Sequence, residues 1–258
     1  MVSCIPRTRP KRPMMDVSSL AERVKAGDVR AVSRLITLLE NGDPNGTAAL
    51  ALLPGRNRAS VIGITGYPGA GKSTLIDQLV RAYRRQNKTV AVLAVDITSP
   101  RTGGAILGDR IRMQDHALDP HVYIRSMATR GRHGGLAQAT RDAVTVLDAA
   151  GYDVIFVETI GVGQADTEVG TVARTVVAVV APGLGDEVQA MKAGLLEIAD
   201  LIVVNKADRE GADSTVRDLQ EWHPRVVRVS ALKGDGVPDL IRAIAEHQRI
   251  LDLQGKGA

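Results

Sequence analysis

A β-branched run followed by a glycine-rich loop, VIGITGYPGAGKST at 61–74, constrains this chain more than any other stretch. Gly66, Gly71, Lys72 and Ser73 satisfy the spacing G-x-x-x-x-G-K-[ST], and they do so between a strand pattern and a helical pattern, where that spacing has physical meaning. The candidate nucleotide-binding set is therefore Gly66, Pro68, Gly69, Ala70, Gly71, Lys72, Ser73 and Thr74. Glycines let backbone N–H groups wrap around phosphate oxygens, and the helix that follows adds its N-terminal dipole. Lys72 would reach the β and γ oxygens, and Ser73 would ligate Mg²⁺.

Five more short runs repeat the texture of the first: TVAVLAV at 89–95, DVIFVE at 153–158, TVVAVVA at 175–181, LIVVN at 201–205 and VVRVS at 226–230. Continuous Val and Ile without polar alternation predict strands buried on both faces, separated by helices. The expected fold is α/β, a doubly wound, mostly parallel sheet. Ahead of it the pattern is helical. Ser19 and Glu22 have the spacing of a capping box, and Leu20, Ala21 and Val24 share a face. Gly27-Asp28 ends that helix and caps a second, which carries Val32, Leu35, Ile36 and Leu39 and stops at Asn41-Gly42. Residues 43–58 read as a connector. The expected organisation is a basic arm at 1–16, a small helical extension at 17–57, a nucleotide-binding body at 58–251 and a tail at 252–258.

A phosphate loop needs acids at neighbouring strand ends to hold a metal and its water. Asp96 closes the second run and Glu158 the third, and an acid at the carboxyl end of a buried strand points into the ligand crevice. Glu158 opens ETIG, which places Gly161 where a backbone N–H could sense a γ-phosphate. Asp109, in SPRTGGAILGDR, is a further metal candidate, with a surface acid as the alternative. Ser73, Asp96, Asp109 and Glu158 form the candidate Mg²⁺ set. Downstream, Asn205, Lys206 and Asp208 form NKAD after a strand, and Ser230 and Ala231 follow the last run. A carboxylate can accept both the N1 and N2 hydrogens of guanine, which adenine does not offer, and the Ala231 N–H would approach guanine O6. The nucleotide is thus expected to be GTP or GDP, and the sheet to be of the P-loop GTPase type. Two loops, 126–137 and 182–194, join glycines to charges as nucleotide-sensing loops do, and the second carries Asp186, Glu187 and Lys192. Lys72, Asp96, Asp109, Glu158 and Lys192 are the catalytic candidates.

Charge and composition narrow the partners. The formal charge is +4, but the arm contains Arg7, Arg9, Lys11 and Arg12 and no acid up to Pro13, so the body is neutral on balance. With one Trp, one Phe and four Tyr there is no stacking platform for single-stranded nucleic acid, and none is expected as a partner. Cys4 is the only cysteine, which excludes a disulfide framework and fits a reducing, cytoplasmic setting. No apolar run reaches membrane-spanning length, and no membrane partner is expected.

These motifs resemble the methylmalonyl-CoA mutase-associated GTPases of the MeaB and ArgK type. The resemblance rests on GYPGAGKST, on VDITSPRTGGAILGDRIRM at 95–113, HALDPHVYIRSMATRGRHGGLA at 116–137, ETIGVGQAD at 158–166, APGLGDEVQAMKAG at 181–194 and NKAD at 205–208. It implies a GTPase that acts as a chaperone for an adenosylcobalamin-dependent acyl-CoA mutase, coupling hydrolysis to cofactor loading and protection. By resemblance, Asp96, Asp109 and Glu158 surround the metal, and the loop with Asp186, Glu187 and Lys192 is a switch that communicates with the mutase. Ile97 and Thr98 stand where the family usually has Pro and Ser. The family's homodimer uses a C-terminal helical arm, whereas this chain ends at LQGKGA soon after the helix with Leu240, Ile241 and Ile244, which leaves a homodimer open. Gln164 is the only nearby candidate to orient water, and no arginine finger is evident, so slow hydrolysis that a mutase stimulates is expected. The alternatives are a P-loop kinase or ATPase linked to amino-acid transport, against which NKAD argues, and a metallochaperone GTPase, for which the scattered histidines provide no ligand cluster.

Overall fold

The computed structural model describes residues 16–55, 58–96, 116, 118–128, 135–159, 169–183 and 198–255, with the backbone alone at 96, 128 and 135–137. Three helices come first: α1 (Val17–Lys25), α2 (Val29–Glu40) and α3 (Pro44–Ala51). Each is capped by an aspartate, Asp16, Asp28 or Asp43, whose carboxylate accepts first-turn N–H groups. Two sequence expectations are corrected here. Ser19 is not the cap of α1, because Asp16 accepts from its N–H at 3.0 Å and starts the helix earlier. Residues 43–58 are not simply a connector, because Asp43 caps and Pro44 opens a two-turn helix.

The sheet comprises β1 (Ser60–Thr65), β2 (Val90–Asp96), β3 (Val122–Ala128), β4 (Val154–Thr159), β5 (Thr175–Val180), β6 (Leu201–Val204) and β7 (Val226–Arg228). Its order is β3-β2-β4-β1-β5-β6-β7, and every adjacent pair is parallel. The doubly wound expectation holds, with β3 as an additional edge strand. Among the described residues, four more helices cover the faces: α4 (Lys72–Arg85), α5 (Gly135–Ala150), α6 (Ala212–Gln220) and α7 (Val237–Leu253).

Period-two alternation divides each strand between two layers. Val61, Ala91, Leu93, Ile155 and Val157 pack with Leu20, Val32, Leu35 and Ile36 of the first helices and Val146 and Leu147 of α5. Their neighbours Ile62, Ile64, Val92, Phe156, Val177 and Val179 face Leu75, Ile76 and Leu79 of α4 and Leu240 and Ile244 of α7. Ala178, Val180, Ile202 and Val204 form a smaller cluster with Leu219 of α6. The edge strand β3 meets α2 through polar groups: Arg125 donates to the Thr37 hydroxyl at 3.1 Å and pairs with Glu40, and Tyr123 meets the Ser33 hydroxyl.

One buried base gives the fold a pH dependence. His247 of α7 places Nδ1 3.0 Å from Thr175 Oγ1 and Nε2 3.3 Å from Asp200 Oδ1. Burial pushes its imidazole below the ordinary value, against the pull of Asp200 and with the help of Arg225 and Arg174. The unfolded chain protonates this residue near about pH 6.5, so its contribution is complete above that pH. It is lost as pH falls through the lower folded value. The urea midpoint should therefore drop on acidification below about pH 6.5, and less steeply in His247→Gln, as equilibrium unfolding at a series of pH values would show.

Candidate functional site

The phosphate loop follows β1 at the centre of the sheet, and its shape demands glycine. Gly66 has φ +136°, and a Cβ there would stand 2.1 Å from the Val179 carbonyl oxygen of β5. No residue with a side chain fits that approach. Gly71 precedes α4, and no side chain caps that helix, so its first N–H groups face the loop. Lys72 is buried and donates from Nζ to the carbonyl oxygens of Gly66 at 2.6 Å and Tyr67 at 3.2 Å, curled over its own loop.

Ser73, one residue on, donates from Oγ to Glu158 Oε1 at 2.8 Å. Both side chains are buried, and the pair forms because β4 lies next to β1 with Ile64 opposite Glu158. A hydroxyl and a carboxylate held together in a buried crevice are hard oxygen donors of the kind Mg²⁺ prefers. Asp96 ends the neighbouring strand β2. Asp109, Gly161, Gln164, Asp186, Glu187 and Lys192 lie outside the described residues.

Beyond β6 the chain turns sharply at Lys206, a non-glycine residue at φ +56°. The turn is held by Ala207 N–H donating to the Val229 carbonyl at 3.0 Å. Asn205 is a brace whose amide is engaged at both ends. Its Nδ2 donates to the Ala70 carbonyl at 2.9 Å, while its Oδ1 accepts from the Ala231 N–H at 3.0 Å. One buried side chain thus ties the phosphate loop to the loop after β7. Spacing alone places Asn205 in a base-reading motif but does not disclose this brace. Ser230 Oγ donates to Asp208 Oδ1 at 2.6 Å. That bond, with Asp208's own backbone N–H and the charges of Lys233 and Arg209, holds the Asp208 carboxyl below the usual carboxylate range. Asp208 is exposed and borders a pocket of about 390 Å³ that Ser230, Arg228, Lys233, Asp235 and Asp239 also line. Lys233 is a residue that motif reading passed over, although it follows Ala231 by only two positions.

The structure therefore gathers the loop residues 66–74, Glu158, Asn205, Lys206, Asp208, Ser230 and Ala231 at the carboxyl edge of the sheet, the crevice that open α/β sheets use for ligands. Among the described residues there is no group of three His, Cys, Asp or Glu side chains that could hold a metal, and no helix long and apolar enough to cross a membrane.

Comparison with known proteins gives these features a context. The family described as Methylmalonyl Co-A mutase-associated GTPase MeaB matches residues 32–258. A relative from Pyrococcus horikoshii, named among the GTPases, is 52% identical over 94% of this chain and 81% of its own. A fused isobutyryl-CoA mutase of Geobacillus kaustophilus is 41% identical over 220 residues, which is 81% of this chain and 20% of that protein. Among solved structures, a LAO/AO transport system kinase superposes with a TM-score of 0.73 at 30% identity, over 93% of this chain and 78% of its own.

Proposed function

Since the chain belongs to the methylmalonyl-CoA mutase-associated GTPases, we propose that it hydrolyses GTP at this crevice to load or protect an adenosylcobalamin-dependent acyl-CoA mutase. Membership makes it a GTPase that binds GTP and GDP. The finer assignment is carried by one observation: a homologous stretch is built into the same polypeptide as an isobutyryl-CoA mutase in Geobacillus kaustophilus. Domains fused in one chain act at high effective concentration, which suits a partner whose contact governs turnover.

In this reading the N–H groups of the loop 66–71 and the free end of α4 bind the phosphates, and Lys72 leaves the Gly66 and Tyr67 carbonyls to pair with them. Ser73 and Glu158 would hold Mg²⁺, with Asp96 and Asp109 supporting its waters. The ion supplies charge neutralisation for the phosphate oxygens. Asp208 reads guanine, the Ala231 N–H would turn from Asn205 Oδ1 to guanine O6, and the stem of Lys206 would lie along the ring. Gly161 senses the γ-phosphate, and the loop with Asp186, Glu187 and Lys192 carries the nucleotide state to the mutase.

Among the described residues, the crevice offers Lys72 as its buried cationic side chain, with backbone N–H groups, for charge stabilisation. A partner that adds or orders such a group should accelerate the reaction. Purified protein is thus expected to hydrolyse GTP slowly alone and at least about tenfold faster with saturating cognate mutase. An unchanged rate with a mutase that demonstrably binds would remove the chaperone reading and leave the GTPase. The superposed structure is a transport system kinase, and a kinase reading would favour ATP, but the carboxylate of Asp208 supports guanine.

A further inference from the structure

Glu158 and Thr159 leave β4 toward opposite faces of the sheet. Alternation directs Phe156 and Glu158 to the α4 side, where the carboxylate meets Ser73, and directs Val157 and Thr159 to the other side. There Thr159 Oγ1 donates to Thr65 Oγ1 at 3.1 Å, with Thr159 and Thr65 only 2% and 0% exposed. Strand register creates this contact: Ile64 stands opposite Glu158, so Thr65 stands opposite Thr159. Thr65 ends β1 just before Gly66, and Thr159 ends β4 just after Glu158. Two side-chain bonds, one on each face, thereby close a ring through Thr65, the phosphate loop, Ser73, Glu158 and Thr159.

Packing does not call for these hydroxyls. From Val61 to Ile64 and from Val154 to Val157 the strands are apolar or glycine, and valine has nearly the shape of threonine. Replacing both partners of a buried hydrogen bond by apolar groups of the same shape is close to neutral for stability. The pair is placed where stability gains little and geometry gains much. Ser73 Oγ spends its hydrogen on Glu158 and keeps its lone pairs for a nucleotide-bound cation, so the place of the metal depends on where the end of β4 stands relative to the phosphate loop, which the bond on the opposite face helps to fix.

We propose that Thr65 and Thr159 are positioning residues for GTP hydrolysis, their hydroxyl bond keeping the end of β4, and with it Glu158, against the phosphate loop. The proposal rests on the reading of the site above. A displacement of about 1 Å at a reacting centre costs on the order of a hundredfold in rate, so a partial loosening should cost about tenfold.

The test is steady-state GTP hydrolysis by the full chain as Thr65→Val, Thr159→Val, the double variant and Thr159→Ser, with urea unfolding of each. Each valine variant is expected to lose about tenfold in kcat at unchanged KM; the single variants remove one partner of a buried hydrogen bond and should unfold at a lower urea midpoint, whereas the double variant should unfold closer to the wild type. The double variant should lose no more than the singles, as residues acting through one bond do, and Thr159→Ser should recover most of the rate. Valine variants with wild-type kcat, losses that multiply in the double variant, or a double variant that regains the wild-type rate together with its unfolding midpoint would each overturn the proposal. Should Thr159→Val not fold, Thr65→Val and Thr159→Ser still decide. Lys72→Ala in the same assay reports separately on the site itself.

Discussion

Lys72→Ala is expected to lower kcat/KM for GTP by about 10²–10³-fold while leaving the protein folded. Among the described residues, Lys72 is the one cation whose side chain lies buried inside the phosphate loop, donating to two of that loop's own carbonyl groups. Its charge is held by polar atoms that water can also satisfy, so its removal should disturb the core little. Loss of the same charge beside developing negative charge on a phosphoryl group is costly, because a fixed donor in a dry crevice is worth far more than one in water. Steady-state hydrolysis and far-UV circular dichroism on the same preparation separate the two effects. A folded variant that hydrolyses GTP at the wild-type rate would place the chemistry elsewhere.

Much of this architecture is legible because it is local. Five of the six predicted strands are continuous apolar runs, and they are buried since helices lie on both faces. β3 escaped because Arg125 and Ser126 interrupt it, and Arg125 is there to meet Thr37 and Glu40 of α2. α3 escaped because Gly46 and the turn-forming DPNG resemble a loop. The glycine is required by packing, since a Cβ at 46 would stand 2.9 Å from Leu38 Cβ of α2. In both cases a neighbour distant from the local pattern decides the residue.

The site divides the same way. Lys72, Ser73, Glu158 and Asp208 declare themselves by type and position after strands. The brace formed by Asn205 and the pairing of Thr65 with Thr159 do not, because both depend on sheet order. Only when β4 lies beside β1, and β7 beside β6, do these side chains meet. Motif spacing identifies the groups that touch a nucleotide better than it identifies those that hold them in place.

Base choice offers the largest expected change in specificity. Asp208→Asn should weaken GTP binding at least about hundredfold and raise affinity for XTP, reversing their order. Ionised Asp208 only accepts, and Ser230 together with Lys233 and Arg209 keeps it ionised well into the acid range. It can then take both the N1 and N2 hydrogens of guanine. In the variant, the Ser230 hydroxyl still donates at 2.6 Å geometry to an oxygen at Oδ1, which directs the new amide nitrogen outward as a donor. That donor opposes the guanine N2 amine and suits the O2 carbonyl of xanthine. Asp208 is exposed, so the exchange should not alter folding. Competition of GTP, XTP and ATP against a fluorescent GTP analogue reads the order directly. A wild-type protein that prefers ATP would remove the guanine reading, and a variant that still prefers GTP would show that Asp208 does not contact the base.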